Sequence, residues 1–162
     1  MDGSLVMFGH WLQNRPFALE IAGSEWAYPI VQATHFTGLS IWVGTSAIVD
    51  FSLLGAGRKS STSLHLSGAL FIWNWIGFAI AVTGGFLLFS VSAETYLVNI
   101  AFLTKLGLLI PLGLALHIVI QQKAPAWENA SETPRIAKVA GIAELLVWFC
   151  VVTAAVLIPY AG

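Results

Sequence analysis

The stretch LHLSGALFIWNWIGFAIAVTGGFLLFSV, residues 64–91, decides the fold: it contains no Asp, Glu, Lys or Arg. A helix of about 20 apolar residues crosses a hydrocarbon core of about 30 Å, and this stretch exceeds that length. Three more stretches qualify on the same ground, at residues 28–54, 96–120 and 136–160. The segments between them, GAGRKSSTS, SAE and QQKAPAWENASETPR, have the composition of turns and loops. Of the 162 residues 57% are hydrophobic and 9% charged, against about 25% charged in a soluble domain. That deficit excludes an ordinary soluble globule, a disordered chain and a nucleic-acid binder. The expected fold is an all-α membrane protein. Residues 27–162 form a four-helix transmembrane bundle, and residues 1–26 form an interfacial N-terminal segment.

Basic residues orient the bundle. Arg58 and Lys59 fall in the first loop and Lys123, Arg135 and Lys138 in or beside the third, whereas the N-terminal segment has only Arg15 and the second loop none. The positive-inside rule then puts loops one and three in the cytoplasm and both termini outside. Asp2, Glu20, Glu25 and Glu94 lie on the outer side. Ahead of the first span, SLVMFGHWLQN spaces Leu5, Phe8 and Leu12, or Val6 and Met7 with Trp11, for a short helix lying in the outer interface. The first residues lack the basic region and cleavage site of a signal peptide, so the first span is expected to do the targeting. The lone cysteine, Cys150, makes neither a disulfide framework nor a CxxC metal site.

An ionisable group inside a span is costly and is a functional candidate by default. The candidates are His35 and Asp50 in span one, His65 at the mouth of span two, Lys105 and His117 in span three and Glu144 in span four, with His10 in the interfacial segment. By depth the histidines sort into an outer pair, His10 and His35, and an inner pair, His65 and His117. Imidazoles from facing helices of a bundle can hold iron, with the flat macrocycle in the bundle interior. The four histidines are therefore read as metal ligands, and the competing reading of each is a polar group bonded to a neighbouring helix. Lys105 either snorkels outward, pairs with Glu94 or Glu25, or holds a carboxylate such as a haem propionate. Asp50 and Glu144 either relay protons or meet Arg58 and Lys138. Glycines at 38, 44, 68, 77, 84 and 85 leave room for a helix or a flat cofactor. Pro111 is expected to kink span three between Lys105 and His117.

The pattern W-x-Y-P at 26–29, H-x-x-G at 35–38, V-G at 43–44 and D-x-x-L-L-G at 50–55 resembles a family of bacterial four-span membrane proteins of unassigned function. Trp75, Gly77, Phe78, Thr83, Gly84, Tyr96, Asn99, Phe102, Lys105 and His117 extend the likeness along most of the chain. A wider likeness, carried by His35, Gly38, Trp42, Gly44 and KLGLLIPLGLALH at 105–117, is to the four-span group of copper-resistance D-type proteins and J-type protoporphyrinogen oxidases. The latter resemblance implies haem b held by the first-helix histidine, here His35, with a lysine nearby, here Lys105. Where the oxidase pattern has an arginine this chain has FSLL from Phe51, and it has Ala154 and Ala155 where the four-span family often has a G-R pair.

These readings lead to a b-type haem membrane protein that passes electrons, alone or as a subunit of a redox assembly in the bacterial inner membrane, with one or two haems. The alternatives are a cofactor-free anchoring subunit and a copper-binding or transport protein. The expected partners are lipid, other subunits or further copies of the chain, and a quinone, with no nucleic acid.

Overall fold

A computed structural model describes residues 3–55, 66–130 and 132–160. Every regular element among them is helical: α1 (Gly3–Gln13), α2 (Pro16–Gly23), α3 (Ala27–Leu53), α4 (Leu66–Val91), α5 (Ala93–Val98), α6 (Ile100–Thr104), a π-helical turn at Lys105–Leu109, α7 (Ile110–Glu128) and α8 (Arg135–Leu157). Four helical units are long and apolar enough to cross a membrane: Ala27–Leu53, Leu66–Val91, Ile100–Glu128 and Arg135–Tyr160.

The bundle is apolar outside and carries polar side chains among the apolar ones inside. Its buried residues include Ser46, Asp50, Ser67, Asn74, Ser90, Asn99, His117 and Glu144, while Ile72, Leu146, Phe149 and Val156 point outward. Lipid is as apolar as leucine, so burial of side chains gains little there, and close backbone approach and interhelical hydrogen bonds hold the helices instead. The tightest approach is between α3 and α4. A Cβ placed on Gly38 would stand 2.5 Å from the Ala81 nitrogen, and one on Gly77 would stand 2.7 Å from the Trp42 nitrogen. Any side chain at either position forces the two backbones apart. At one end Val49, Leu53, Ile120, Ala124 and Ala137 make a small aliphatic cluster from α3, α7 and α8.

The N-terminal segment holds two helices where one was expected. Pro16 opens α2 with a φ already suited to a first turn, and the Arg15 guanidinium sits 3.9 Å over the Trp11 ring. Gly9 lets α1 lie against the backbone of Glu94, and the Gln13 side chain accepts from the Glu94 N–H at the start of α5. Met7 and Trp11 remain outward on α1.

Span three begins later and runs further than its hydropathy suggests. Asn99 caps it, its side chain accepting from the Phe102 N–H at 3.0 Å and donating to the Ile158 carbonyl at 2.8 Å. The helix continues past Ile120 through Gln121, Gln122 and Lys123, which are good helix formers. Its last residue, Glu128, accepts from the N–H and hydroxyl of Ser67 and so caps α4. Pro111 follows the π turn directly: it has no N–H to give to the carbonyl one turn back, and Ile110 before it donates to the Lys105 carbonyl five residues earlier.

Candidate functional site

Two polar regions lie inside the bundle, each built around a histidine. The first centres on His117, which is 1% exposed. Its Nε2 lies 2.8 Å from Asn74 Oδ1 and its Nδ1 2.6 Å from Glu144 Oε1. Asn74 determines the proton arrangement. Its Nδ2 donates to the Trp42 carbonyl and to the hydroxyl oxygens of Thr45 and Ser46, at 2.9 to 3.0 Å. Those hydroxyls give their own hydrogens to backbone carbonyls of α3. The amide oxygen therefore faces the imidazole, and Nε2–H donates to it. On the other side one proton serves the pair Nδ1 and Oε1, either as imidazolium and carboxylate or as imidazole and carboxylic acid.

Trp148 donates its indole N–H to the same Glu144 oxygen at 2.9 Å. The second oxygen, Oε2, is buried without a hydrogen-bond partner among the described residues, as are both oxygens of Asp50. Asp50 is 0% exposed, and α8 can approach it because residue 141 is glycine; a Cβ there would lie 3.6 Å from that of Asp50. Trp42 closes the region from the other half of the bundle, its ring packed edgewise on Phe78 and Trp148 at centroid distances of 4.7 and 4.4 Å.

The second region centres on His35, which is partly buried. Its Nδ1 lies 2.7 Å from the Ala81 carbonyl of α4. A carbonyl can only accept, so Nδ1 carries the hydrogen and the neutral ring keeps its lone pair on Nε2, which has no hydrogen-bond partner among the described residues. The ring lies directly on α4 because residues 84 and 85 are glycines: a Cβ on Gly84 would meet the His35 Cβ at 2.9 Å, and one on Gly85 would meet Cε1 at 3.0 Å. Lys105 opens the π turn, its ammonium 5.5 Å from the Phe102 ring centroid and near enough for its charge to act on His35. An apolar groove of about 400 Å³ runs beside this region between α3 and α4, lined in part by Val31, Thr34, Ile80, Thr83 and Gly84.

Several candidate residues stand differently from their expected places. His117 lies about three turns inside the end of α7, because that helix continues to Glu128. Both of its ring nitrogens are engaged by protein groups, so it presents none to a metal. Glu144 meets His117 and not Lys138, which is exposed. Among the described residues Lys105 has no acidic partner, so the expected pairing with Glu94 or Glu25 does not form. His10 is exposed on α1 with the Asn14 amide 3.4 Å from its ring. His65, Arg58 and Lys59 lie outside the described residues. Among the described residues no three of His, Cys, Asp and Glu gather as a metal site. Asn74, which orients His117, was missed by sequence reasoning; its only signal is a lone amide inside the uncharged 64–91 stretch.

Compared with known proteins, the chain matches no family model, no curated protein and no solved structure.

Proposed function

We propose that this is a haem b-binding membrane protein of electron transfer, alone or as a subunit of a redox assembly, with His35 as the axial ligand. One observation carries the reading: the Nδ1–H of His35 is committed to the Ala81 carbonyl, so its Nε2 lone pair is free. Metal-bound histidines are held in this way, the outer nitrogen donating to a backbone carbonyl or carboxylate that fixes tautomer and ring direction. Gly84 and Gly85 keep the imidazole seated on α4, and Lys105 supplies a positive charge for a carboxylate. The likeness of His35 and Lys105 to the oxidase pattern agrees with these roles. Haem, when bound, would supply a one-electron couple inside the bilayer.

His117 does not fit as a second ligand, since a metal would have to displace Asn74 or Glu144 and leave that group buried and unpaired. The inferred orientation keeps both termini outside, with Lys123, Arg135 and Lys138 at the cytoplasmic α7–α8 junction of a bacterial inner membrane. Protein purified from haem-replete cells should carry stoichiometric extractable haem. A colourless preparation would overturn the reading. If partner proteins copurified with it, a cofactor-free anchoring subunit would be favoured, a role that the fully bonded His117 already suits.

A further inference from the structure

The cluster around His117 is closed to metals but not complete as a hydrogen-bond network. Three of the four carboxyl oxygens of Asp50 and Glu144 are buried with no donor among the described residues. The two carboxyls belong together: Gly141 brings α8 against Asp50, Glu144 follows three residues later on the same helix face, and the groups interact electrostatically. Ionised carboxylates on both Asp50 and Glu144, with His117 alone bonded to the latter, would leave net negative charge in a low-dielectric interior, which is costly. Among the described residues no other charge offsets it. Asn74 of α4 is neutral, Glu128 of α7 is bound to Ser67, and Lys123, Arg135 and Lys138 are exposed.

A proton on Asp50 removes the excess charge. Too few ligands converge for a metal ion among the described residues, and the 2.6 Å bond between His117 and Glu144 already holds one shared proton. We propose that Asp50, Glu144 and His117 form an intramembrane proton-binding site that takes up and releases one proton. In the loaded state Asp50 is a neutral acid and the Glu144–His117 pair holds the shared proton, so the cluster carries no net charge. On release the Asp50 O–H bond breaks and the proton passes to water. The cluster is left with one negative charge, and no electron moves. The Trp42, Phe78 and Trp148 rings pack against one side of the cluster.

The structure supplies a way to test this without a variant. Asp2 and Asp50 are the only aspartates in the chain, so isotopic labelling of the aspartate side-chain carbon singles out Asp50 in the infrared spectrum of the whole protein in lipid. The expected result is a protonated-carboxyl band near neutral pH that shifts with the label, exchanges in heavy water and disappears reversibly as pH is raised. Asp50→Asn should remove it; if that variant does not fold, the labelled wild type alone decides. The proposal is overturned by a spectrum with no label-sensitive acid band near neutral pH. It is equally overturned by a band that neither exchanges nor responds to pH, which would mark a static buried acid.

Discussion

His35 and His117 are the same residue type on neighbouring helices of one bundle, and their surroundings give them opposite capacities. His117 meets an amide on α4 and a carboxyl on α8, so every ring nitrogen is used within the protein. His35 meets two glycines and a backbone carbonyl on α4, so one nitrogen is used and one is left over. In a bilayer the number of protein partners around an imidazole decides whether it holds helices together or holds something else. The Trp42 stack keeps the two environments apart.

Breaking this contrast at His117 should cost most. His117→Ala leaves Glu144 and Asn74 buried without their partner, and loss of one member of a buried pair costs about 3–5 kcal/mol. Denaturant unfolding in detergent would register it. Removing Glu144 as well should recover part of that loss, which a double-mutant cycle would read. Gly84→Ala is expected to cost about 1–3 kcal/mol by overpacking, because the new methyl meets the backbone and Cβ of His35. The same variant should disturb cofactor content more than the His117 region. His35→Ala removes one hydrogen bond to a carbonyl, about 1 kcal/mol net, so its unfolding curve should move much less than that of His117→Ala. Asp50→Asn should move stability least of all, since it replaces a neutral acid by a near-isosteric neutral amide. A large destabilisation there would mean that Asp50 is ionised and paired.

The four spans were legible because hydrocarbon thickness sets helix length whatever the packing, and the ionisable residues inside them were legible by their rarity. Helix ends were not. The extension of span three to Glu128 rests on the cap that Glu128 makes to Ser67, a contact between residues 61 apart in sequence. The helix α2 escaped notice because PFALEIAG is only eight residues long. Of the site, His35, Lys105, Asp50, His117 and Glu144 could all be singled out in advance, but their partners could not. Lys138 stands on the same helix as Glu144 and looked like its natural counter-charge, yet it faces outward while His117 comes from a different helix. Asn74 carries no charge, so a search for intramembrane charge passes over the residue that orients His117.

The most direct test of the division between the two histidines is the dithionite-reduced minus oxidised spectrum of purified wild type, His35→Ala and His117→Gln. A haem band in wild type that persists in His117→Gln and is lost in His35→Ala is the predicted result. A band that survives loss of His35, or one that depends on His117, would contradict it.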